Sequence, residues 1–140
     1  MSPEEDVGGM ESFLDVDVSD ATEPVAAPAG EHKIRISGGV IDKDKNGHPY
    51  FQPRFDVPDM PEVKDFTDFI GLPYDGMDEK RAKRSKWRLR CFKECFGIDP
   101  SAKVNLRDDL PGLTGWAILG LGEDPQYGEQ NFIRKYIAPK

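Results

Sequence analysis

The chain has 140 residues, a formal net charge of −7, 37% hydrophobic and 32% charged residues, and two cysteines. This is one domain's worth of sequence, and no apolar run reaches the roughly 18–20 residues that a membrane-spanning helix needs. The acidic start lacks the basic-then-apolar pattern of a signal peptide, so a cytoplasmic protein is expected.

The charge is unevenly placed. Residues 1–31 carry nine acids and no Lys or Arg, which leaves 17 acids against 19 bases in residues 32–140. The acidity therefore belongs to the N-terminal stretch, and the rest is mildly basic. An overall isoelectric point of 4.8 does not exclude a nucleic-acid partner for that part. Residues 1–30 hold Pro, Gly, Ala and acids around a small apolar island at Met10, Phe13 and Leu14. So little apolar surface cannot offset the ordering entropy, which predicts a disordered acidic tail. Thr22–Gly30 reads as its linker, and residues 31–140 as the folded domain.

The first expected strand opens at His32-Lys-Ile-Arg-Ile36, which alternates polar and apolar residues. Gly38-Gly39 marks a bulge or bend within it. Asn46-Gly47 is a hairpin turn, followed by a return strand over Pro49–Val57, in which Pro53 implies an edge or a bulge. Val63–Leu72 suits a third strand by its Val, Thr and Phe content, although Phe66, Phe69 and Ile70 would also fit a short helix. Asp78–Phe96 has helical periodicity and stops at Gly97, with Pro100 beyond. Leu113–Leu121 and Gln130–Ile137 read as two last strands joined by a turn-rich loop. This order predicts an all-β domain with one helix: a five-stranded Greek-key barrel of the OB-fold kind, its helix between strands three and four.

Taken literally, the alternation gives three strands the same two-sided chemistry. Ile34 and Ile36 point inward with Lys33 and Arg35 outward; Phe51, Phe55 and Val57 inward with Tyr50, Gln52 and Arg54 outward; Ile133 and Ile137 inward with Phe132, Arg134 and Tyr136 outward. Cations that track phosphates, beside rings that stack on unpaired bases, are what a single-strand binder uses. Exposed strands also carry such residues simply because they suit a solvated pleated surface, and a one-residue slip would exchange the faces. In the helix, Trp87, Leu89, Cys91, Phe92, Cys95 and Phe96 form an apolar arc. Arg84 and Arg88 fall inside that arc, so either they reach out past it or the first half of the helix projects beyond the core and offers them to a phosphate backbone.

Other signals lead nowhere. Asp42, Asp44, Asn46 and Gly47 match the start of a calcium-binding loop, but its twelfth position is Pro53 instead of Glu. His32 and His48 have no ligand-spaced companions, and Cys91 and Cys95, four apart in a helix, read as reduced thiols. No phosphate loop, dinucleotide fingerprint or nucleophile elbow is present, so neither a cofactor nor a metal nor catalysis is expected.

Leu110-Pro-Gly112 through Gly115-Trp-Ala-Ile-Leu119, then Asp124-Pro-Gln-Tyr127-Gly128 and Asn131-Phe-Ile-Arg134-Lys-Tyr136, resemble bacteriophage single-stranded DNA-binding proteins. The Lys/Asn/Gly hairpin, the Pro-Tyr-Phe strand and the basic helix ending Phe-Gly add to the likeness, which covers about residues 32–138. It implies an oligonucleotide-binding barrel acting in phage DNA replication, recombination or repair. It also implies Tyr50, Arg54, Tyr127, Phe132, Arg134 and Tyr136 as DNA contacts. One departure is that the acidic tail, which such proteins often carry at the C-terminus, is here at the other end. It can compete with DNA, or recruit replication proteins through Phe13 and Leu14. A protein-interaction or virion-assembly module on the same barrel stays open, as do an accessory subunit or nuclease-like enzyme and the oligomeric state.

Overall fold

The computed structural model describes residues 13–139. After a single 3-10 turn at Phe13–Asp15, the elements are β1 (Gly30–Lys43), β2 (Pro49–Asp56), β3 (Phe66–Thr67), β4 (Ile70–Gly71), α1 (Glu79–Cys95), β5 (Thr114–Asp124) and β6 (Gly128–Ile137). The chain is mostly β with one helix. Its open antiparallel sheet of six strands runs β3-β2-β1-β5-β6, with β4 also paired to β2.

β1 is long and bends. Its register against β2 shifts between Ile36 and Gly38, so Ser37 is an extra residue at the point where the strand curves. Gly39 sits where a Cβ would lie 2.9 Å from the Gln52 carbonyl oxygen, so the close approach of the two backbones at this bend needs glycine. The β1–β2 turn explains the false calcium signal: the Asp44 carboxylate accepts the backbone N–H groups of Asn46 and His48, each at 2.9 Å. Those bonds, His48 first, hold the Asp44 carboxyl below the usual carboxylate range.

Residues 63–72 form strands, not a helix, and they do so in two pieces. Phe66 pairs with Phe55 and Ile70 with Phe51, while Asp68 and Phe69 fall in the break between them. α1 begins at an Asp78 cap that accepts the Arg81 N–H at 3.2 Å, and it buries Phe92 and Cys95. The apolar arc expected of it is therefore shorter than the sequence implies. Trp87 is 64% exposed, outside the buried face that Phe92 and Cys95 form. The core is aromatic: Phe55 stacks on Phe96 with centroids 5.8 Å apart, and Phe92 meets Phe51 edge-on at 5.1 Å.

The stretch read as linker is packed from Val25 onward. Val25 donates to Glu62 O and accepts from Lys64 N, at 3.1 and 2.9 Å. Ala27 is fully buried; its N–H donates to Asn131 Oδ1 at 2.8 Å while Asn131 Nδ2 donates back to its carbonyl at 2.9 Å. This short segment thus bonds the chain just before β3 on one side and β6 on the other, spanning the gap between the two ends of the sheet. No helix among the described residues is long and apolar enough to cross a membrane.

Candidate nucleic-acid interface

The face that carries the expected contacts is the outer side of β2 and β1. Tyr50, Gln52 and Arg54 alternate with buried Phe51, Pro53 and Phe55, as the period-2 reading requires. Tyr50 stacks on Phe69 with ring centroids 4.9 Å apart, and Phe69 is 57% exposed. Close by in sequence, His48 stacks on Tyr74 at 4.3 Å. Arg54 is exposed; its Nε donates to Ser37 Oγ at 3.2 Å and stands 4.0 Å from Asp65. Arg35 is more firmly held, with both guanidinium contacts to Asp56 at 3.1 and 2.7 Å, and that hydrogen-bonded carboxylate raises the Arg35 pKa. Lys33 is half-buried beside Trp116, its cross-strand partner on β5.

A second group lies at the β5–β6 hairpin. Tyr127, in its turn, is 65% exposed, and its carbonyl accepts from Lys64 Nζ at 3.2 Å, which ties the hairpin tip to the stretch leading into β3. Phe132 lies flat on Gly120, where a methyl group would overlap the ring. Arg134 Cζ stands 5.6 Å from the centre of the same ring, and part of the Phe132 surface is still open.

Two expected contacts are displaced. Tyr136 is a core residue: its ring packs against Phe92, Phe55 and Phe96, and its hydroxyl donates to Asp68 Oδ2 at 2.6 Å. The cause is a register shift in which Leu119 pairs with Ile133 but Ile118 with Lys135, so Arg134 is bulged and parity reverses beyond it. Burial, and then the Asp68 charge, push the Tyr136 hydroxyl well above its ordinary pKa. Arg88 is engaged by the same group, 2.7 Å from Asp68 Oδ2 and 5.3 Å from the Tyr136 ring centre, so, partly exposed, it ties α1 to the β3–β4 break and to β6. Arg84 is exposed on α1. Leu14 is 87% exposed; the Phe13 side chain lies outside the described residues.

The sequence reading missed Phe69, Tyr74 and Trp116. Trp116 was accessible to it, since Ala117 and Leu119 are buried and Trp116 and Ile118 alternate with them. Phe69 gave no such signal, because its exposure depends on the break between β3 and β4. Among the described residues no group of three or more His, Cys, Asp or Glu side chains is placed to hold a metal ion. What the arrangement offers chemically is a sheet face with stacked rings and guanidinium groups. No protein-family model matches the chain, and neither does any curated protein sequence.

Proposed function

We propose that the chain is a single-stranded DNA-binding protein that holds and protects its strand along the outer face of β2 and β1 and at the β5–β6 tip, in phage replication, recombination or repair. The observation that carries this is the stacked Tyr50–Phe69 pair on the same face as the exposed Arg54. A ring pair with one exposed and one half-buried member offers a π-surface to an unpaired base, and the guanidinium beside it reaches a phosphate. Strand order supports an OB-type reading. An open sheet ordered β3-β2-β1-β5-β6, with its helix between β4 and β5 and its two ends bridged by Val25–Ala27, has the strand order and helix placement that such a barrel uses.

The test is a titration of the intact protein with oligo-dT at several salt concentrations. Tight binding that prefers single strands and weakens steeply with salt is expected. Replacing Tyr50 with Ala should cost about 1–3 kcal/mol of binding, the value of one base stacked on a ring. Absence of binding at low salt would remove the proposal. Degradation of the oligonucleotide would point to a nuclease instead.

A further inference from the structure

A second surface, formed by α1, β5 and β6, has a different chemistry. Trp87, Cys91, Ile118, Lys135, Ile137 and Ala138 line a groove of about 500 Å³ between the outer flank of α1 and the ends of β5 and β6. A large exposed indole at the rim of an apolar groove is the residue type that dominates protein contacts. The surroundings are cationic. Lys135 is in the lining, and Lys83 and Arg84 lie one helical turn before Trp87, on its side of the helix. The carboxylate that borders the groove, Glu94, is held by Arg90 at 2.6 Å.

The same chain displays a segment of matching character. Leu14, Val16 and Val18 are exposed, and they alternate with Asp15 and Asp17, with Asp20 just beyond. Among the described residues nothing covers these three apolar side chains. We infer that the groove beneath Trp87 takes the Leu14–Val18 segment of a second copy of this chain, its apolar side chains against Trp87, Ile118 and Ile137 and its carboxylates toward Lys135, Lys83 and Arg84. Donor and acceptor are different parts of the molecule, so repeating the contact head-to-tail extends it into a row of copies, and growth in mass beyond a dimer separates that row from a reciprocal exchange between two copies. On a long single strand such a row binds cooperatively; the docking itself does not depend on DNA.

Sedimentation of the full-length protein over a range of concentrations tests this without DNA. The wild type should grow in mass with concentration, and less so at high salt. Trp87→Ala, an exposed position, and the double change Leu14→Ser with Val16→Ser, which keeps every carboxylate, should each lower the association constant at least tenfold. An equimolar mixture of the two variants should form one-to-one dimers and nothing larger, because each retains one half of the contact. A wild type that stays monomeric would overturn the inference, as would association that survives the Leu14/Val16 change. Docking of the segment on its own chain would show as a shift in Trp87 emission on the Leu14/Val16 change with no change in mass, read in a Trp116→Phe background, and would equally overturn it. The affinities of the Trp87 and the Leu14/Val16 variants for a short oligo-dT, with Trp116 kept, should equal that of the wild type; loss of oligonucleotide binding in the wild type would strike the proposed function and leave the docking result standing.

Discussion

Tyr136 and Arg54 show how far single residues can be read from sequence. Alternation placed both outward. It succeeds for Arg54 because β2 keeps its register, and fails for Tyr136 because the bulge at Arg134 is invisible to a period-2 pattern. The two residues should therefore part company under mutation. Arg54→Ala should leave stability nearly unchanged while reducing the dependence of log affinity on log salt by about 0.7, the share of one phosphate on a single strand. Tyr136→Phe deletes the hydroxyl that donates to Asp68 Oδ2, which keeps its Arg88 contact while Oδ1 still accepts the Phe69 N–H. It should cost about 1 kcal/mol in urea unfolding and leave oligo-dT affinity intact. Alkaline pH probes the same region. Burial raises the Cys95 thiol from 9.0 to about 11, with its Sγ–H toward the Trp116 carbonyl at 3.2 Å, and Tyr136 shifts in the same direction. Both groups are neutral when protonated, so the folded state holds these protons more tightly than the unfolded chain does. The stability they contribute is complete below pH 9 and is lost as pH rises toward 11. Urea midpoints should fall across that window, and less steeply in Cys95→Ala, whose own baseline is lower.

At the scale of elements, the periodic parts were legible and the joints were not. The helix from its Asp78 cap to Gly97, the Asn46-Gly47 turn and the last two strands all follow from local patterns that depend on neighbours a few residues away. The seam between the sheet ends does not, because it is made by residues 104 positions apart. Val25–Ala27 looks like linker by composition, yet Asn131 gives it two hydrogen bonds and offers a third to Gly120 O at 3.3 Å. A buried amide spent on a remote backbone leaves no trace in hydrophobic periodicity. Its removal is informative for that reason. Asn131→Ala strands a buried N–H and two carbonyls, and should cost roughly 2–4 kcal/mol by the usual penalty for unpaired buried groups. Hydrogen exchange should locate the loss: the Ala27 and Lys64 amides speed up, while those of β1 and β2 keep their protection. If all amides accelerate together, the segment is part of the global folding unit and not a separable latch.

For the molecule as a whole, the decisive property is the separation of charge, and the structure fixes where the two signs meet. The acidic stretch enters the domain at Val25, bonded to Lys64 N, and the Lys64 ammonium in turn reaches the Tyr127 carbonyl at the β5–β6 tip. Asp15, Asp17, Asp20 and Glu23 lie within 12 residues of that point, a stretch that spans at most roughly 40 Å when extended. They are thus within reach of the whole β2–β1 face and of phosphates bound there. Removing residues 1–24 takes away eight acids and no base, which moves the net charge from −7 to +1 while keeping Val25 and Ala27 in place. Cutting at Gly30 instead would delete the latch and mix a charge effect with an unfolding one. At about 50 mM salt, and at protein concentrations too low for self-association, the 1–24 deletion should bind a short oligo-dT a few-fold more tightly than the full chain, since each nearby like charge removed is worth up to about 1 kcal/mol in water. The gain should vanish near 0.5 M salt, where screening confines such repulsion to a few ångströms. A gain that persists at high salt would mean that the segment blocks the face by contact and not by charge. An unchanged affinity at low salt would mean that it stays clear of the bound strand.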